Sequence, residues 1–369
     1  MRGHQPFFIA AAIFAIVSIA LWMAILLGAI PYPDKLPARQ WHGHEMLFGY
    51  TVAIFGGFLL MSTKGWRVAV LLALWLGARL LIPLDGAQWL AAVLDVTLPP
   101  AMLLLRTPSL WLGWKWPTVG FIPLLIALSA ANLAWHLEVL GITAGTADPA
   151  LRMIVDLLIL LMVVMAGRLV PGYTRAMLIP LRQPKDPGRE KASIVLGLLL
   201  LTADLSGWRE VAGLSAIALA AMQAWRLSGW QTMAVFRHPI MLVLHIGFGW
   251  LALGLALRGV AAFTDWLSDT EALHAVTIGA IGMLTLGMAG RLLRTHDRRP
   301  LRASALEVCG YASLFLATIL RVLIPGILPD LYQISVSASA LFWILAFVCF
   351  LLEHAHVLKQ SPRSTTTRL

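Results

Sequence analysis

The chain is a succession of long apolar runs broken by short charged or Pro/Gly-rich punctuation. A helix that crosses the hydrocarbon core needs roughly 20 mostly apolar residues, and the runs approach that length twelve times. They fall at about 7–29, 42–61, 66–82, 87–105, 116–137, 151–170, 192–205, 208–227, 239–263, 272–293, 303–324 and 332–357. Only a turn at Asp204–Gly207 separates the seventh from the eighth. The first run lacks a small-residue cleavage site and is expected to be a span rather than a cleaved signal. No connection is long enough for a folded extramembrane domain. The pattern therefore predicts an all-α polytopic membrane protein: a bundle of about twelve transmembrane helices in a single transmembrane domain over 1–369, with a disordered tail at 358–369.

Composition agrees. Of 369 residues, 59% are hydrophobic and 12% charged, against about 25% charged in a soluble domain, and the mean hydropathy is +0.81. So much apolar surface excludes a soluble enzyme, a disordered chain and a disulfide scaffold. It also argues against an outer-membrane barrel, whose strands alternate in hydropathy. The net charge of +10 would otherwise suggest nucleic acid. Here it follows from the bias of Lys and Arg toward cytoplasmic loops. With the amino terminus inside, most of the 28 Lys and Arg share one side, notably in 168–191 and 291–302, so both termini are expected to be cytoplasmic. Cys309 and Cys349 lie in apolar runs and read as small buried side chains.

Ionisable groups at membrane depth are costly and are functional candidates by default; ten of the residues are histidines. His42 and His44 open the second run in Trp41-His42-Gly43-His44-Glu45-Met46. Residues two apart on a helix point about 200° apart, so they either converge at the helix mouth on one metal or serve two neighbouring ones. His42 and Glu45 share a face. His274, one turn into the tenth run, and His136, near the outer end of the fifth, fall at a similar depth on the outer side. Neutral imidazoles suit haem iron and copper alike, and Glu45 leaves a proton relay open. His245 lies toward the opposite face, roughly 20 Å in depth from His274, too far to share one iron. Met165, Met288 and Tyr173 are candidates near it, and a packing hydrogen bond is the plain alternative. Arg79 can clamp an anionic group such as a haem propionate or pair with Asp95; Asp156 is a second mid-membrane carboxylate. Arg168 and Arg291, after Gly167 and Gly290, suit propionates or lipid phosphate. His4, His238, His296, His354 and His356 sit at or beyond the inner ends and are readily solvated. Many of the fifteen Trp, including Trp22, Trp89, Trp111 and Trp114, suit interfacial anchors, and Gly279, Gly282, Gly287 and Gly290 suit close helix packing.

Several blocks together resemble the NnrS family of bacterial membrane proteins. They are Pro6-Phe7-Phe8, Trp41-His42-Gly43-His44-Glu45-Met46-Leu47-Phe48-Gly49-Tyr50, Gly56-Gly57-Phe58-Leu59-Leu60 and Trp75-Leu76-Gly77-Ala78-Arg79. Further on come Gly167-Arg168-Leu169-Val170-Pro171, Leu244-His245-Ile246-Gly247-Phe248-Gly249-Trp250, Leu273-His274-Ala275-Val276-Thr277-Ile278-Gly279 and Arg299-Pro300-Leu301. Gln5 replaces the family's basic residue before Pro-Phe-Phe, and the inner loop departs at Thr295-His296-Asp297-Arg298-Arg299-Pro300. The resemblance implies a haem- and copper-containing, twelve-helix protein of the bacterial inner membrane, linked to the nitric oxide response during denitrification or nitrosative stress. The family's histidines fall at His42, His44, His136, His245, His274 and His296.

The leading expectation is a protein that holds haem b and copper and binds or handles nitric oxide, with an unidentified electron donor and no nucleic-acid partner. Cofactor contacts are expected from His42, His44, His245, His274 and Arg79. Metal ligands are expected from His42, His44, His136, His245 and His274, with Glu45 as a proton relay if the gas is reduced. The alternatives are a transporter or metal/haem handler with an acceptor site at His42 and His44, and a structural subunit of a partner complex.

Overall fold

The computed structural model describes residues 3–31, 37–111, 121–178 and 186–355. The expected start of the fifth span, Trp114, His356 and the tail 358–369 lie outside the described residues. What is described is helical, and no β-strand is present among the described residues. The helices are α1 (His4–Leu26), α2 (Ala38–His44), α3 (Val52–Leu59), α4 (Trp66–Leu81), α5 (Gln88–Trp111), α6 (Phe121–Val139) and α7 (Ala147–Met177). They continue with α8 (Pro187–Leu205), α9 (Arg209–Ser228), α10 (Pro239–Phe263), α11 (Asp269–His274), α12 (Met283–His296), α13 (Ala305–Ile327) and α14 (Tyr332–His354). A π-helical turn, Glu45–Thr51, joins α2 to α3, and another, Ala275–Gly282, joins α11 to α12. Counting each joined pair as one rod gives a helical rod for every apolar run.

Nine helices among the described residues are long and apolar enough to cross a membrane, which makes this a multi-pass membrane protein. The three remaining rods fall short for visible reasons. The second opens on the polar stretch His42-Gly43-His44-Glu45, α4 has only 16 residues, and α8 opens on Gly188-Arg189-Glu190-Lys191 and carries Asp204 near its end. Between α8 and α9 the tight reversal is made at Gly207, with φ +70°, a conformation glycine adopts without a Cβ penalty.

Leu104, Leu341 and Trp89 are 70%, 68% and 63% exposed, as expected of apolar side chains whose solvent is lipid rather than water. Inside, the chain forms two compact units, Met1–Leu151 with Leu351–Leu369, and Arg152–Phe350. The first unit buries Phe7, Phe8, Phe48, Ile54, Leu98 and Met102. Phe7 and Phe8 of α1 lie over Gly56 and Gly57 of α3; without Cβ atoms those glycines let the two backbones approach closely, the usual use of small residues between membrane helices.

Charge inside the second unit is paired. Asp156 of α7 accepts a hydrogen bond from Arg258 of α10 at 2.5 Å, and Arg258 also pairs with Asp204. Arg294 at the end of α12 pairs with Glu307, whose carboxylate also closes a capping box with Ser304 at the start of α13. Arg226 is buried beneath Gly167, donating to the Val163 carbonyl at 2.9 Å and to Gln223 at 2.8 Å. Gly167 is thus required by a neighbouring guanidinium, while Arg168 beside it is exposed and makes a loose pair with Glu190 at 3.6 Å.

A Cβ at Gly56 would sit 2.9 Å from both Met102 Cε and Phe7 Cδ1. Overpacking of that kind costs about 1–3 kcal/mol. Gly56→Val is therefore expected to lower the melting temperature of the detergent-purified protein by several degrees. Gly172→Ala, whose Cβ would meet nothing nearer than Arg175 Nη2 at 4.0 Å, should leave it unchanged or raised.

Candidate metal centre

The chemistry of the first unit collects where α2, α4, α5 and α6 meet. His44 is the last residue of α2 and Glu45 the first of the π-turn. Widening the helix by a π-turn leaves backbone groups out of register, and two side chains take them up: Thr51 Oγ1 donates to the Met46 carbonyl at 2.9 Å and Trp75 Nε1 to the Gly49 carbonyl at 2.9 Å. Trp75 and Arg79 are one turn apart on α4 and so face the same way. Asn132 and His136 are likewise one turn apart on α6, with Trp135 beside them.

These positions converge on Asp95 of α5. Its Oδ2 is 3.1 Å from His136 Nε2 and 3.2 Å from His44 Nε2, and its Oδ1 is paired with Arg79 Nη2. Arg79 Nη1 reaches across to Glu45 at 3.1 Å. His44 Nδ1 is 3.1 Å from Glu45 Oε1, and its Nε2 is 3.0 Å from Asn132 Oδ1. The His44 ring stacks on Trp135 at 3.7 Å between centroids and 20° between planes. His44, Glu45, Asp95, Trp135 and His136 are each at most 2% exposed and Arg79 is 7% exposed.

One ligand atom each from His44, Asp95 and His136 lies within 4.8 Å of the others. Two imidazole nitrogens and a carboxylate oxygen, fully buried and convergent, form a donor set that suits a transition-metal ion. Electrostatics points the same way. Glu45 and Asp95 carry two negative charges against one on Arg79, so with neutral imidazoles the cluster holds one uncompensated negative charge in an apolar span. Both nitrogens of His44 face oxygen atoms, so a proton on that ring balances the charge; a bound cation would do the same.

Of the residues singled out from sequence, His44 and His136 come together, with Glu45 and Arg79 in the same cluster. Arg79 takes the carboxylate pairing rather than standing clear for an anion. His42 turns elsewhere and stacks on Trp22 of α1 at 4.6 Å and 18°. That is what the 200° separation demands in a helix still regular at residue 44. Asn132 and Trp135 went unremarked in the sequence, and Asp95 was noticed only as a partner for Arg79. The Asn132–His136 spacing was the available signal.

In the second unit, His245 of α10 is saturated by two hydroxyls: Thr174 Oγ1 lies 2.9 Å from Nε2 and Thr232 Oγ1 lies 3.0 Å from Nδ1. Thr174 gives its own proton to the Val170 carbonyl, so it accepts from Nε2–H. Those threonines, rather than Met165, Met288 or Tyr173, hold the ring. Tyr173 instead lies under the Arg291 guanidinium, 4.2 Å from its centroid. His274 ends α11, half-buried, with Nδ1 2.6 Å from the Thr270 carbonyl. A backbone acceptor there takes the Nδ1 proton and sets the ring's tautomer.

Fold and site together define a multi-pass helical membrane protein with a buried imidazole–carboxylate cluster. The family is narrower. The NnrS protein family model matches residues 1–363, and the chain belongs to that family. No curated protein matches it.

Removing one partner from a buried ion pair typically costs about 3–5 kcal/mol, because the other charge is stranded. Arg79→Leu strands two carboxylates, and a large fall in melting temperature with reduced yield is expected. Arg79→Lys, which keeps the charge but loses the planar fork, should fall between that variant and the parent protein.

Proposed function

We propose that this protein is a haem- and copper-binding membrane protein of the NnrS type that binds or handles nitric oxide and protects the bacterial inner membrane and its enzymes against nitrosative stress. The observation that carries the reading is the buried His44–Asp95–His136 cluster, whose three ligand atoms lie within 4.8 Å of one another.

The fit differs between the two groups the family implies. Trp135 is stacked on His44, and the His44 and His136 rings are 5.3 Å apart at 80°. This arrangement suits a single ion and leaves no flat space for a macrocycle. We assign it to copper. Haem is better matched by His274, whose ring is half-buried and whose Nδ1 is held by the Thr270 carbonyl, and by the half-buried His42 in its own unit. His245, satisfied by two hydroxyls, is left out of the metal set. When bound, the metals supply a redox-active place for a small neutral gas.

The chain's own groups do the rest. Asp95 orients both imidazoles, Arg79 pairs with both Asp95 and Glu45 and holds them in place, and Trp135 closes one face of His44. The surrounding helices exclude water yet admit a lipid-soluble gas without an aqueous channel. Glu45, in contact with both His44 and Arg79, is the group placed to pass a proton if the gas is reduced.

Purified protein should contain copper and b-type haem, and its reduced spectrum should shift on adding nitric oxide. His136→Leu is expected to lower copper per chain at least tenfold while haem per chain stays within error. Cells lacking the protein should regain tolerance to a nitric oxide donor with the parent chain but not with that variant. Well-folded protein without a haem band or copper would overturn the assignment, and copper that exchanges and accumulates in vesicles would indicate a transporter.

A further inference from the structure

Two stretches of the chain, one in each unit, follow the same plan. In the first, α1 precedes the interrupted helix α2–α3, and α4 follows; in the second, α10 precedes the interrupted helix α11–α12, and α13 follows. In both, the α-helix gives way to a π-turn immediately after a histidine, His44 or His274. Five residues past the histidine stands Gly49 or Gly279, and thirteen past it Gly57 or Gly287. Each glycine is covered by side chains of the preceding helix: Gly49 by Phe14 and Gly57 by Phe8, Gly279 by Trp250 and Gly287 by Val243 and Leu244.

Glycines on a packed face recur in many membrane helices, so that spacing carries little alone. Helix packing does not require a histidine at the start of each π-turn, nor what the following helix adds. Arg79 of α4 pairs with Glu45, which adjoins His44; Arg321 of α13 pairs with Glu271, three residues before His274, at 3.4 Å. Arg321 and Glu271 are each 7% exposed.

We propose that the second stretch is a duplicate of the first, and that Glu271 and Arg321 are positioning residues for His274 as a metal ligand. This rests on reading His274 as a haem ligand. The linkage runs through the first turn of α11. Arg321 holds the Glu271 carboxylate, which accepts the Ser268 hydroxyl; Ser268 caps the helix by accepting from the Thr270 N–H at 3.2 Å. The Thr270 carbonyl in turn accepts from His274 Nδ1. Loosening the carboxylate therefore loosens the group that sets the tautomer and ring plane of His274.

The test uses full-length protein purified as Glu271→Gln, Arg321→Leu, Arg321→Lys, Ser268→Ala and His274→Ala, with haem per chain, the haem electron paramagnetic resonance spectrum and the melting temperature read together. Glu271→Gln and Arg321→Leu are expected to keep haem but displace or split the signal of the histidine-ligated iron, and Arg321→Lys to restore it. If those two variants fold poorly, Ser268→Ala carries the same expectation through the cap alone. Parent-like spectra and haem content in Glu271→Gln, Arg321→Leu and Ser268→Ala, whatever their melting temperatures, would overturn the proposal and leave the pair structural. A parent-like spectrum in His274→Ala would instead overturn the ligand reading beneath it.

Discussion

Ionised carboxylates do not survive in an apolar bilayer span without a partner, and this constraint organises the protein. Arg79 lies between Glu45 and Asp95, and the placement of α2, α4, α5 and α6 in the first unit follows from bringing those groups into contact. The second unit meets the same demand with Arg258 between Asp156 and Asp204, and with Arg294 on Glu307. Buried ion pairs add little net stability over an apolar core, because desolvation offsets the attraction. Their strength is selectivity: an arrangement that misses the partner leaves a bare charge, so the competing packings are disfavoured.

The π-turns solve a related problem. A uniform α-helix repeats every 3.6 residues, and His44 and Glu45 would then point away from each other by about 100°. With the junction falling between them, both contact the same cluster while the backbone groups put out of register are taken up by Thr51 and Trp75. π-turns are rare and concentrate at functional sites; each of the two here begins just past a histidine. The first stands at the His44–Asp95–His136 cluster, the second at His274.

The chemistry of the partners separates His44 and His245 more sharply than depth in the membrane does. His245 is buried, and its two nitrogens meet the neutral hydroxyls of Thr174 and Thr232. His44 and His136 are held by a carboxylate that must itself be balanced. The difference lies in what surrounds each ring, and those neighbours come from helices far apart along the chain.

The apolar runs by themselves determined the helical rods, since spans must be about 20 apolar residues long whatever they pack against; even the reversal at Asp204–Gly207 was legible. The unusual density of His42-Gly43-His44-Glu45 and the isolated Arg79 marked the region of the site, because polar groups are conspicuous in an apolar sequence. Tertiary structure alone decided which of them meet. Asp95 reads locally as one more mid-span carboxylate, and becomes the centre of the cluster only when α4, α5 and α6 are side by side. Thr174 and Thr232, 58 residues apart in numbering, carry no local sign that they hold one imidazole. The likeness between the stretches around His44 and His274 was hidden for the same reason: it resides in a junction geometry and in ion pairs between helices. Their glutamates differ in position relative to the histidine, and only contact reveals that they do the same work.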